Sequence, residues 1–549
     1  MGIMVISLPA CGQTYLSQAD LTATAVSAPL VQTTLDLSPT VEGSSAHPQL
    51  QPVEPDKNTP LPESIPVSSA TQTTPEIPIF SSTEETQKTP QVELTTQTVP
   101  DDFPSETAPI IIETKAPPIL YHTQAGDTRP AVAIRYGVSP DEITSPDPIP
   151  QTGLLKPDQL LVIPNRLSEV GPNGNLFPDS EVVYSPSALD FDVDAYVSES
   201  GGYLSTYREY LINGWHTGAQ VIKRVAIENS INPRLLLSLV EYRSHWVKGN
   251  PTNMAETEYP LGKIKINQKN LYHQLSWAVS QLSIGYYYWR AGLLTEITLT
   301  DGKKIRLSPD LNAGTVALQY LLAQLYDSNE WGGTLYGQQS LPKLHEAMFG
   351  NLWLRAQTVE PLYPTDLAQP PLALPYRTGE KWAYTGGPHS AWGPDGALAA
   401  VDFAPPSNFT GCVESIEWVT ASATGLVVRA GNGVFMVDLD GDGFEQTGWN
   451  ILYMHIGSKD RVQVGSWVNV NEKIGHPSCE GGVTTGTHVH FARKYNGEWI
   501  LADGPMPLVL SDWAAHAGTQ PYMGTFTKGD AIATASTSAI YSTLVQRAD

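Results

Sequence analysis

The sequence predicts a multidomain chain made of a disordered stalk, a small βααβ module, a mostly α domain and an antiparallel β-rich domain. Three observations predict it. At 549 residues the chain exceeds one ordinary core, for which ~100–200 residues is typical. Residues 12–116 are dominated by Ser, Thr, Pro, Gln and Glu, with Lys57, Lys88 and Lys115 as their basic residues. Beyond them, apolar residues recur at helical spacing within 188–360 and then, from about Tyr376, alternate in short runs separated by Gly, Pro and Asp-Gly turns.

The stalk has too little apolar surface to offset chain entropy, and is expected to be disordered. Ahead of it, residues 1–11 end in Leu8-Pro9-Ala10-Cys11, which resembles the end of a bacterial lipoprotein signal, with Cys11 as the lipidated residue. No stretch approaches the ~20 apolar residues that span a bilayer, so membrane contact is expected only through such an anchor. The net charge of −24, with no Lys/Arg cluster, excludes a nucleic-acid partner. An exported chain of this kind is expected outside the cell, at the cell wall or membrane surface.

Within 118–166, Leu120-Tyr121-His122-Thr123 reads as a strand and Gly126-Asp127-Thr128 as a turn. A helix through Val132, Ala133 and Ile134 follows, then Tyr136-Gly137-Val138-Ser139, a second short helix at Pro140–Ile143, and a closing strand Leu160-Leu161-Val162-Ile163-Pro164. This pattern resembles the LysM module, with Arg129-Pro130 as its departure. The resemblance implies binding to N-acetylglucosamine-containing glycan, as in peptidoglycan.

In 188–360, Arg234–Val247 and Ala313–Tyr326 carry apolar residues at three- and four-residue spacing. The run from Ile231 to Trp246 resembles the helix of lysozyme-like lytic transglycosylases that carries the catalytic acid, and Asn312-Ala313-Gly314-Thr315 adds to the likeness. Arg243 occupies the acid's position, and a guanidinium cannot protonate a leaving oxygen. Glu241, two residues earlier, points to nearly the opposite face of a helix that turns ~100° per residue. A non-catalytic, glycan-holding domain is therefore expected, with glycan cleavage by Glu241 as a rival.

In 370–525, His488-Val489-His490 sits in an alternating run, so both imidazoles project from one face of a strand. Gly386-Gly387-Pro388-His389, Ala400-Val401-Asp402-Phe403 and Tyr453-Met454-His455 lie on other β elements. Two imidazoles and a carboxylate fill three tetrahedral positions around zinc and leave a fourth open. Together these pieces resemble the lysostaphin/LytM-type zinc endopeptidases of peptidoglycan. The resemblance implies His389, Asp402 and His490 as ligands of one zinc ion, and His455 and His488 as catalytic histidines acting on water and oxyanion. It departs at Ser390–Val401, which separates His389 from Asp402 and offers Asp395 as a rival carboxylate. Asp402 is preferred, being in a strand-like run where Asp395 is in a turn.

Cys412 and Cys479 either pair or stay as separate thiols; the sequence leaves both open. Asp438-Leu439-Asp440-Gly441-Asp442-Gly443 begins like a calcium loop, but position twelve is Trp449 where a bidentate acid is needed, so a hairpin tip is preferred. His476 and His516 are read as structural, and residues 526–549 as a small polar tail. The expected activity is hydrolysis of peptide cross-links in peptidoglycan. The rival from another class is a wall-binding or amidase-regulating protein that does not cut.

Overall fold

In the computed structural model, residues 14–15, 116–538 and 540–548 are described. Cys11 and most of the stalk, 16–115, lie outside the described residues. Thr14–Tyr15 (β1) departs from the stalk reading: these two residues form a strand opposite Ala430 and Arg429.

The first small unit is a two-stranded pair, Ile119–His122 (β2) against Leu160–Ile163 (β3), with helix Arg129–Tyr136 (α1) between them. The departure at Arg129-Pro130 is accommodated without loss. Thr128 caps the helix by accepting from the Ala131 N–H, and proline in the first turn removes an N–H that has no helical partner. Gly137, at φ 66°, ends it in the left-handed conformation that glycine adopts without penalty. The second expected helix is a three-residue 3-10 turn, Pro140–Glu142.

The helical region is built from Gly218–Asn229 (α2), Pro233–Ser244 (α3), Leu271–Arg290 (α4), Ala313–Ala323 (α5) and Leu341–Phe349 (α6), with shorter pieces between. Asn232 caps α3, and nearly every α3 side chain is buried, so this helix is central rather than amphipathic. Glu241 is 8% exposed, and its Oε2 accepts from the backbone N–H groups of Val247 and Lys248 at 2.9 Å each. It thus closes the turn after α3. Arg243 bonds the Tyr326 hydroxyl.

The C-terminal region is a ten-stranded sheet. Its strands include Lys381–His389 (β4), Ala400–Ala404 (β5), Gly425–Gly431 (β6), Val434–Asp438 (β7), Trp449–Met454 (β8), Trp467–Val468 (β9), Val489–Tyr495 (β10) and Glu498–Trp499 (β11). A second, four-stranded sheet contains Trp513–Ala517 (β12), Gly524–Lys528 (β13) and Ala531–Thr534 (β14). The main sheet runs β1-β6-β7-β8-β10-β5-β4 and ends on Leu544–Gln546 (β15), with β9 on β6 and β11 on β10. The tail reading of 526–549 is therefore corrected: Val545 is fully buried opposite Trp382, and Phe526 stacks on Tyr384.

Strand alternation sends β10 and β8 residues to two cores. Val489, Phe491, Ile451 and Tyr453 pack beneath the four-stranded sheet with Trp513 and Phe526. Ala492, Leu452, Met454, Met436 and Val428 face the other way and belong to the same continuous core as the helices. Arg290 of α4 anchors this junction, pairing with Glu498 of β11 at 3.2 Å and with Asp179 at 2.9 Å, while Tyr286 donates to Glu498 at 2.9 Å. The helical and β-rich regions thus share one interior.

Candidate metal centre and its flanking histidines

Strand register brings the site together. Asp402 on β5 lies directly opposite His490 on β10 and opposite Gly386 on β4, three residues before His389. A side chain at residue 386 would collide with the Asp402 carboxylate, since a Cβ there would lie 2.4 Å from Oδ2; glycine leaves the room. Met454 is opposite His490, and the next residue, His455, leaves the strand with φ at 63°. That uncommon backbone conformation turns its ring toward His488, with ring centroids 4.5 Å apart.

Three donor atoms converge. His389 Nε2 and His490 Nδ1 are 3.0 Å apart, and each is 3.3 Å from Asp402 Oδ1. The far side of each ring is engaged: His389 Nδ1 faces the Gly387 carbonyl at 2.8 Å, and His490 Nε2 faces the Ala391 carbonyl at 3.1 Å. Each of those nitrogens carries the proton, so the other presents a lone pair inward. Asp402 Oδ1 is buried and lacks any hydrogen-bond donor. An inward-facing set of two lone pairs and an unpartnered carboxylate oxygen suits a cation. Donors bound tetrahedrally at ~2.0–2.1 Å stand ~3.3–3.4 Å from one another, close to the spacing here. The three residues fit zinc.

The electrostatics agree. Burial works to raise the Asp402 carboxyl, but the His389 ring beside it, helped by His490, holds it well below the usual carboxylate range. Burial also opposes charge on His389, and Asp402 outweighs it, leaving that ring above its ordinary value. Burial pushes the His455 ring down to about 3, with His488 and His490 adding to the effect, so His455 is neutral at neutral pH. Its Nδ1 faces the Glu480 carbonyl at 3.0 Å, and His488 Nδ1 faces the Gly486 carbonyl at 2.8 Å. Both rings therefore keep Nε2 for the site, where His488 Nε2 stands 3.7 Å from Asp402 Oδ1. His488 is the more open of the two, at 18% side-chain exposure.

All five expected residues meet, and the rival Asp395 does not join them: it is exposed in a turn between Gly393 and Gly396. The intervening segment has its own use, because its Ala391 carbonyl orients His490. Cys412 and Cys479 form a disulfide that ties the segment after β5 to the one before β10. Thr487 N–H donates to Gly411 and Ser478 N–H to His455, so this staple borders both flanking histidines. Tyr522, stacked on His389 at 4.1 Å, was not singled out by sequence, since a lone tyrosine in a turn carries no pattern. His476 bonds the Glu417 carbonyl and His516 bonds Thr527, each with a structural partner. Among the described residues one further cluster of metal-binding type is present, Asp438, Asp440 and Asp442.

A family model described as "LasA, N-terminal domain" matches residues 175–362, the helical region. The chain is 27% identical over 364 residues to "Protease LasA" of Pseudomonas aeruginosa (strain UCBPP-PA14), covering 63% of this chain and 78% of that protein. It is 27% identical over 141 residues to the "Beta-lytic metalloendopeptidase" of Achromobacter lyticus, covering 24% of this chain and 35% of that one. Among solved structures, "A Novel M23 Metalloprotease Pseudoalterin from Deep-sea" is 24% identical, covering 31% of this chain and 96% of that chain at a TM-score of 0.26.

Proposed function

We infer that this LasA-like chain, with its homology to the M23 (lysostaphin/LytM-type) peptidases, is a zinc metalloendopeptidase that hydrolyses peptide cross-links of peptidoglycan outside the cell. The observation that carries the reading is the convergence of His389 Nε2, Asp402 Oδ1 and His490 Nδ1 on one space, with Asp402 Oδ1 otherwise unpartnered. These residues would hold the zinc. When bound, zinc supplies Lewis acidity toward water and toward the scissile carbonyl. Gly387 and Ala391 fix the ligand rings through their carbonyls. The Nε2 atoms of His455 and His488 are the proton-handling groups: one accepts a proton from the attacking water, and the resulting N–H returns it to the departing amine nitrogen. A protonated ring also stabilises the tetrahedral oxyanion by hydrogen bonding.

The module at 118–166 is read as LysM-like, attaching the enzyme to glycan. The helical region is read as a non-catalytic, lysozyme-like body, consistent with Glu241 being occupied by two backbone donors. Cys11, as a lipid anchor, would keep the chain at the surface.

The test is zinc content and peptidoglycan digestion, side by side, for the wild-type chain and His490→Ala, with released fragments analysed by mass spectrometry. Stoichiometric zinc and new peptide termini, both lost in the variant, are expected. Zinc without new termini would favour the wall-binding alternative, and absence of zinc would overturn the metal centre.

A further inference from the structure

The acidic turn between β7 and β8 lies outside the peptidase chemistry. One oxygen from each of Asp438, Asp440 and Asp442 lies within 4.8 Å of the others. Asp440 and Asp442 face solvent, whereas Asp438 is fully buried at the end of β7, where its Oδ1 accepts from the Asp440 N–H at 3.2 Å and its Oδ2 from the Gly443 N–H at 2.8 Å, each oxygen keeping a further lone pair. Burial and the neighbouring Asp440 push the Asp438 carboxyl up to about 8, so without a counter-charge it resists ionising.

A second, independent group points to the same place. Asn450 is fully buried and lies directly opposite Asp438 in the β7–β8 register. Cross-strand partners project from one face with Cβ atoms ~4.5–5.5 Å apart, so the Asn450 and Asp438 side chains leave the same face at neighbouring positions. Asn450 Nδ2 donates to the Thr447 carbonyl at 2.8 Å, which fixes the amide's orientation and leaves Oδ1 with no donor. Lys494, next along that row, spends its ammonium on Glu445 at 2.9 Å, and Arg429 pairs with the same Glu445. Three carboxylates and a neutral amide oxygen are all hard oxygen donors, the set that calcium accepts in a flexible geometry.

We propose that Asp438, Asp440, Asp442 and Asn450 form a calcium site that fastens the β7–β8 turn. The closing ligand that position twelve fails to supply is replaced by the strand residue Asn450. Because β8 runs on to His455, the ion would brace the strand that delivers that ring.

The test uses the full, zinc-loaded chain in calcium-depleted buffer, with and without about 5 mM calcium. The comparison is between wild type and Asp440→Asn/Asp442→Asn. Calcium is expected to raise the wild-type Tm by about 3–8 °C and to leave the double variant unmoved. Without calcium the double variant should melt no lower than wild type, since it loses two like charges. The milder Asp442→Asn, at an exposed position, should show a reduced shift. Terbium gives a second readout: the Trp467 ring lies against Gly441, so emission excited through tryptophan should appear in wild type, be displaced by calcium and be lost in the double variant. No calcium shift in zinc-loaded wild type, an undiminished shift in the double variant, or an equal response to magnesium would each overturn the assignment.

Discussion

His455 and Glu480 are joined side chain to backbone: the ring Nδ1 stands 3.0 Å from the Glu480 carbonyl, and Glu480 directly follows the half-cystine Cys479. The disulfide spans 67 residues of sequence, so its loss frees a long loop in the unfolded chain. Replacing Cys412 and Cys479 by serine should cost about 2–4 kcal/mol in denaturant unfolding. Turnover should fall while zinc content stays, because the staple borders His455 and His488 rather than the three ligands.

The ligand set and the proton-handling pair should separate by mutation. His455→Ala should keep stoichiometric zinc and lose about 10²–10⁴-fold in kcat, the range for a general acid–base group. His389→Ala should lose both. Retained turnover in zinc-loaded His455→Ala would remove that ring from the chemistry.

Metal removal should destabilise the fold as well as silence it. Zinc held by the folded site and not by the unfolded chain adds its binding free energy to stability, and chelation withdraws it. A Tm drop of about 5–10 °C, reversed by stoichiometric zinc, is expected by calorimetry. In Asp402→Asn the same chelation should shift Tm much less.

Arg290, Asp179 and Glu498 form a buried charged group where α4 meets β11. Arg290→Met should cost about 3–5 kcal/mol, since it strands Glu498 in the interior. Adding Glu498→Gln should recover part of that loss in a double-mutant cycle.

Glu360 supplies a pH test far from the zinc ligands. Burial, with Asp179 adding to it, raises its carboxyl to about 7, and Oε1 accepts from the Ser180 N–H. An acid raised above its unfolded value binds protons more tightly when folded, so it destabilises progressively as pH climbs from about 4.5 to 7. Glu360→Gln keeps the acceptor oxygen and should stabilise the chain at pH 8 by up to about 2 kcal/mol. Below pH ~4.5 the two proteins should unfold alike.

The site was legible because its residues follow extended-chain periodicity: His488, bridged to Ser478 just ahead of β10, and His490 within β10 are two residues apart, and Val401 and Phe403 mark Asp402 as a strand residue where Asp395 sits between turn glycines. Cross-strand register decided what the sequence left open. The tail was misread because Val545 and Phe526 lie among small polar neighbours: Val545 acquires a buried face through pairing with β4, and Phe526 through pairing with β12 and β14 and stacking on Tyr384. Asn450 gave no signal for the same reason, its relation to Asp438 being one of register rather than spacing. The cysteine pair depends on two loops meeting across the site, which composition cannot report.

The interior shared by α4, β8 and β10 changes what a backbone break would do. The connection at Pro364–Asp366 is exposed and invites a protease. A single cut there would yield two polypeptides on a denaturing gel that still migrate together under native conditions. Liberating either one would require peeling apolar side chains such as Leu452 and Met454 away from the helices, so hydrolysis of that bond and physical dissociation would be separate events with separate rates.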